Sequence, residues 1–103
     1  MEEAPPPAPV AQCLEEPDVP SMAKVGSTVA FKVKACRDGD VTLHYRAAGA
    51  SSWFRKAMTK RVGVRVAMVP LDETFAEGME WFIAAEGVSV GSASKPSRIA
   101  VSP

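Results

Sequence analysis

The chain has no asparagine, and its 103 residues include one histidine, one tyrosine and two cysteines. Each scarcity excludes something. Acid–base or nucleophilic chemistry needs convergent groups, yet His44 stands in a sequence with no Gly-rich phosphate loop, no paired metal-ligand spacing and no nucleophile elbow. Neither catalysis nor a bound cofactor or metal is expected. Asp38-Gly39-Asp40 has the look of a calcium-loop fragment, but a full site takes about 6 or more oxygens and no Glu stands at the proper distance, so turn chemistry accounts for it. No apolar run approaches the roughly 20 residues that cross a bilayer, so direct membrane insertion is not expected. Charge of one sign does not dominate either: 12 Lys and Arg meet 12 Asp and Glu, unlike the balance of a dedicated nucleic-acid binder. The start, Met1-Glu2-Glu3-Ala4-Pro5-Pro6-Pro7, lacks the basic residues and apolar run of a secretory signal and reads as a piece cut from a longer chain. Asparagine is absent and isoleucine occurs only at Ile83 and Ile99, while Ala, Val, Gly, Pro and Arg are plentiful; GC-rich coding favours that usage, which points to a bacterial source.

What is present is one domain's worth of ordinary globular chain, 47% hydrophobic and 23% charged, able to bury roughly two thirds of its unfolded surface. Pro5, Pro6, Pro7, Pro9 and Pro17 crowd the beginning, so residues 1–12 read as an extended, proline-rich flexible linker and residues 13–103 as the folded unit. From Thr28 onward the text becomes short runs of Val, Phe, Tyr and Trp punctuated by Gly, Asp, Ser or Pro, the rhythm of an antiparallel β-sandwich. In Thr28–Cys36 the residues Val29, Phe31, Val33 and Ala35 take one face; after the turn Arg37-Asp38-Gly39-Asp40, Val41, Leu43 and Tyr45 take the inner face of the next strand. Trp53–Met58 reads as a short edge strand of unclear parity. Val62, Val64, Val66 and Met68 are expected inward on a strand that Pro70 ends, with the opposite parity, Ala67 and Val69 inward, left open near its end. Leu71–Gly78 has room for a single helical turn. Met79, Trp81, Ile83 and Ala85 alternate most clearly of all, with Trp81 expected against Val33, Leu43 and Ile83. A Gly87–Pro96 loop then leads to a last strand over Ser97–Val101, and Leu14–Met22, broken by Pro17 and Pro20, reads as an interrupted edge strand.

Several of these pieces carry a resemblance. Val41-Thr42-Leu43-His44-Tyr45-Arg46, the Gly-Ala-Ser turn after it, Phe54 with Met58, Ala67-Met68-Val69-Pro70 and Met79-Glu80-Trp81-Phe82-Ile83-Ala84-Ala85-Glu86 resemble bacterial fibronectin type III and immunoglobulin-like domains. In those domains the matching signatures run V-T-L-Y-Y-R, A-x-I-P and Y-Y-I-x-A-x-D. The likeness implies an all-β, antiparallel, seven-stranded Ig/fibronectin type III-like β-sandwich working as a non-catalytic spacer or protein-interaction module of an envelope or surface protein. It implies an extracytoplasmic setting and a partner that is another protein or a neighbouring domain of the same chain. Gly87 stands where an Asp often follows the penultimate strand, and the cysteines lie outside the usual pattern. Cys13 and Cys36 permit one disulfide, worth about 3 kcal/mol by loop closure; two separate thiols in a reducing compartment are the alternative.

Two surfaces stand out as candidates for recognition. Charge falls in blocks: Glu2, Glu3, Glu15, Glu16 and Asp18 come before the first base, Lys24, and the bases then crowd into residues 24–65. If the strands around Phe31 and Val64 share a sheet, Lys32, Lys34, Arg61 and Arg65 make its outer face basic and suited to an acidic partner or polyanionic glycan. In the plainer alternative, Glu15, Glu16 and Asp18 neutralise that face while Arg46 meets Glu80 or Glu86. Trp53, Phe54 and Phe82 form the second candidate, because adjacent strand residues face opposite ways and Phe82 points outward if Trp81 points in. Such aromatics stack on sugars, as in a carbohydrate-binding accessory domain, or anchor a protein; otherwise they pack under the loop carrying Val88 and Val90. An edge strand that captures an extended peptide is a third reading.

Overall fold

The structure, a computed structural model, describes residues 13–36 and 39–103; the linker expected over residues 1–12 and the turn residues Arg37 and Asp38 lie outside the described residues. Among the described residues the chain forms nine strands: β1 Met22–Lys24, β2 Thr28–Lys34, β3 Val41–Ala47, β4 Phe54–Ala57, β5 Thr59–Arg61, β6 Val64–Pro70, β7 Met79–Ala85, β8 Val88–Val90 and β9 Ser97–Ser102. They build two sheets. The larger runs β1-β9-β7-β3-β4 with β8 also on β7, and the smaller runs β2-β6-β5. A 3-10 turn at Glu73–Phe75 occupies the expected helical stretch, started by the Asp72 carboxylate accepting from Thr74 N–H.

Alternation decides which faces meet. Val29, Phe31 and Val33 of β2, Val41 and Leu43 of β3, and Met79, Trp81 and Ile83 of β7 all lie in the buried layer between the sheets, with Ile99 from β9. The Phe31 and Trp81 rings meet edge to face with centroids 5.4 Å apart, bridging the two sheets. The register of β3 on β7 is continuous, Leu43 opposite Ile83, His44 opposite Phe82, Tyr45 opposite Trp81 and Arg46 opposite Glu80. A deep aromatic pair and a full ladder therefore fix which side of β7 faces out.

Three expectations are corrected. The strand count is nine rather than seven, because two hairpins went unread: β5 turns into β6 through Val62-Gly63, and β7 into β8 through Glu86-Gly87, inside the stretch expected to be loop. Both turns rest on a glycine at positive φ, +71° at Gly63 and +77° at Gly87, preceded by a residue that does not signal a turn. The parity of β6 is the opposite of the main expectation: Ala67 and Val69 are buried, Met68 is 48% exposed and Val62 stands fully in solvent. The local pattern favours the wrong face because Arg65 shares a face with Ala67 and Val69; pairing decides, setting small Ala67 opposite Phe31 and Val69 opposite Val29. With that parity, Arg65 lies inside at 3% exposure, opposite Val33, and its guanidinium reaches the Gly39 carbonyl at 3.4 Å. It is not part of an outer basic face.

Both side edges of the sandwich are closed by chain that changes sheets. At one edge Met58 separates β4, paired to β3, from β5, paired to β6. At the other, residues 13–18 lie along β2 before Met22–Lys24 runs parallel to β9. Bridges Leu14–Ala35 and Asp18–Lys32 enclose one residue more on the outer segment than on β2, a bulge that contains Pro17. Cys13 and Cys36 are joined by a disulfide at the end of this segment.

Candidate functional site

The outer face of the larger sheet gathers more contact-forming side chains than any other exposed region described here. It is set by the outward positions of three neighbouring strands: Thr42, His44 and Arg46 on β3, Arg55 on β4, and Glu80, Phe82 and Ala84 on β7, with Arg98 of β9 opposite Glu80. Trp53, just before β4, joins them. Arg46 Nε donates to Glu80 Oε1 at 3.0 Å, and its guanidinium carbon lies 4.2 Å from the centroid of the Trp53 ring. The Trp53 ring meets Phe82 edge to face at 4.9 Å, and Phe82 lies parallel to the His44 imidazole at 4.4 Å. Arg46 is thus held from two directions, by a charge-assisted bond and by a ring face.

His44 feels this packing. Burial against its neighbours, and secondly the positive charge of Arg55 opposite it, hold its pKa below the ordinary 6.5. The imidazole is therefore neutral at physiological pH and stacks as an aromatic ring. Beyond it the face ends in a polar trough of about 310 Å³ lined by Asp40, Thr42, His44, Ala84 and Glu86.

The aromatic candidates divide. Trp53 and Phe82 come together on this face, packed on Arg46 and His44, and Phe82 also lies against Gly91, directly after Val90, while Val90 itself packs toward the core. Phe54 falls on the other side of β4. It is 55% exposed, stacks on Tyr45 at 5.4 Å, and walls a notch of about 210 Å³ at the sandwich edge with Val69, Pro70 and Phe75.

The basic candidates do not converge. Lys32 and Lys34 do face outward from the smaller sheet, where Glu15, Glu16 and Asp18 line the same trough of about 390 Å³. Arg61 sits at the far edge on β5, opposite Val64, and Arg65 is buried. The plainer alternative therefore describes this face, and its second half holds too, since Arg46 meets Glu80. Arg46, Arg55 and Arg98 were the residues missed as a group: the alternation placed Arg46 outward, but only the pairings of β4 and β9 bring the other two beside it.

The stretch of β6 that β5 leaves uncovered is guarded. Lys32 exchanges backbone bonds with Asp18, so the pair Lys32–Val66 turns Val66, Met68 and Pro70 toward the side away from β2. Past the end of β5, the Lys56 ammonium donates to the Met68 carbonyl, and Pro70 offers no N–H. This opposes strand capture along β6.

Among the described residues, no group of three or more His, Cys, Asp or Glu is placed to hold a metal ion, and no helix is long and apolar enough to cross a membrane. No protein-family model matches this chain, and no curated protein matches it.

Proposed function

We propose that this chain is a non-catalytic protein-interaction module similar to fibronectin type III and immunoglobulin-like domains, one bead of a larger bacterial envelope or surface protein. It presents the outer face of its larger sheet to a partner protein or a neighbouring domain while its sandwich acts as a rigid spacer. The segregation of β2 and β6 into one sheet and β3, β7 and β9 into the other supports the family reading. The disulfide supports an extracytoplasmic setting, where such bonds persist.

The observation that carries the docking role is the connected cluster Glu80–Arg46–Trp53–Phe82–His44. Tryptophan, arginine and other aromatics are the residues that dominate binding energy at protein interfaces, and pre-ordering them lowers the entropy lost on association. One face of Trp53 carries Arg46 and one face of Phe82 carries His44, which leaves less ring surface for a sugar. Exposed Phe54 is the observation that favours the alternative, a carbohydrate-binding accessory domain.

Amide chemical shifts of the labelled protein, followed during separate titrations with mixed synthetic peptides and with soluble oligosaccharides, test this reading. Peptide-induced shifts at Arg46, Arg55 and Phe82 support it. Shifts at Phe54 with oligosaccharides alone, or peptide shifts confined to β2 and β6, contradict it.

A further inference from the structure

The same face has an uncompensated sign of charge. Three guanidinium groups, Arg46, Arg55 and Arg98, belong to outward positions of this sheet, against the single carboxylate of Glu80, which Arg46 already engages. Arg55 and Arg98 are exposed and make no ion pair among the described residues. Of the remaining described acids, Glu15, Glu16 and Asp18 lie on the smaller sheet, Asp40 and Glu86 lie at the trough end of β3 and β7, and Asp72, Glu73 and Glu77 lie in the segment between β6 and β7, where no ion pair joins them to Arg55 or Arg98. From Asp40 the strand rises about 13 Å to His44, opposite Arg55, and about 20 Å to Arg46, more than a Debye length at physiological salt, so Asp40 and Glu86 offset these guanidinium groups only weakly.

We infer that this face binds a carboxylate-rich peptide segment of a partner protein, with acidic side chains on Arg55, Arg98 and the open side of Arg46, and apolar groups on Trp53 and Phe82. Charge complementarity selects the sign, and the planar guanidinium fork suits a carboxylate better than an ammonium does. Lys32 and Lys34 do not compete, since an incoming anion there meets Glu15, Glu16 and Asp18. The inference rests on the docking reading above and adds the chemistry of the occupant.

The test uses one synthetic peptide containing adjacent glutamates and a leucine, its glutamine counterpart, and a sulfated polysaccharide as a competing polyanion. Affinities are measured for the native chain, for Arg55→Glu/Arg98→Glu, and for Lys32→Glu/Lys34→Glu on the opposite face, with near-UV circular dichroism confirming that each is folded. The glutamate peptide should bind the native chain about tenfold more tightly than the glutamine peptide. That preference should vanish in Arg55→Glu/Arg98→Glu, persist in Lys32→Glu/Lys34→Glu, and weaken with added salt. Equal binding of the two peptides, equal losses in both double variants, or binding of the polysaccharide alone overturns the inference. Equal binding that still shifts Phe82 amides leaves the docking reading standing, whereas absence of any shift on this face removes both. Should Arg55→Glu/Arg98→Glu be unfolded, Arg55→Gln alone decides: an undiminished glutamate preference overturns the inference and a reduced one supports it.

Discussion

Arg46 of β3 and Trp53, just ahead of β4, meet with the guanidinium carbon 4.2 Å from the ring centroid, while the same arginine holds Glu80 at 3.0 Å. The ion pair is mostly shielded, with side-chain exposures of 21% for Arg46 and 16% for Glu80, so the contact is stronger than a loose surface pair. Arg46→Ala should lower unfolding free energy by about 1–2 kcal/mol, from the ion pair and the cation–π contact together. Arg46→Lys should recover only part of it, because an ammonium keeps the charge and loses the planar fork. Urea unfolding curves measure both, and full recovery by lysine would mean that the planar fork of the guanidinium contributes nothing.

The parity of β6 is testable with one residue type at two neighbouring positions. Met68→Lys puts the charge in solvent and should change stability by no more than about 0.5 kcal/mol, whereas Val69→Lys buries it opposite Val29 and should prevent folding or cost more than about 3 kcal/mol. The reverse order, read by thermal melting, would restore the parity first expected from the pattern.

Reducing Cys13–Cys36 frees the segment that lies along β2. The loop between the two residues, 23 apart in sequence, predicts a loss of about 3 kcal/mol in unfolding free energy. Mass spectrometry with and without reductant should show the oxidised chain lighter by two hydrogens, and an unchanged denaturation midpoint after reduction would contradict the cross-link's role.

His44 is the sole histidine, so it dominates the titration between the carboxylates and the amines. Burial first, and Arg55 second, lower its pKa in the folded state. Between that lowered value and 6.5 the unfolded chain binds more protons than the folded one, so stability falls as pH drops through this window and levels off below it. His44→Gln should flatten this part of the profile, and a variant that keeps the full slope would place its origin elsewhere.

How much of this was legible follows from how each signal works. Phe31 and Leu43 announce themselves because Lys32, Lys34, Thr42 and His44 mark the outer face of their strands, Trp81 and Ile83 because they are the large residues of a face whose other side begins with Glu80, and all four are in the core. Strand β6 misleads instead, since Val64, Val66 and Met68 make the more apolar face while Arg65 shares the other with Ala67 and Val69; only Phe31 and Val29 across the ladder put that second face inside. Gly63 and Gly87 carry hairpins whose turns begin with Val62 and Glu86, residues without turn chemistry of their own. For the site, the alternation placed Arg46 and Phe82 outward and anticipated the bond to Glu80. The convergence of Trp53, Arg55 and Arg98 on them depends on long-range register, which no local pattern encodes.

The most direct test of the docking account is an exchange of charge across the interface. The Arg55→Glu/Arg98→Glu protein is titrated with the glutamate peptide and with its lysine counterpart, and the native protein with the same two. The account predicts that the native chain prefers glutamate and the variant prefers lysine. If both proteins rank the two peptides in the same order, the guanidinium face does not choose the partner and the account is wrong.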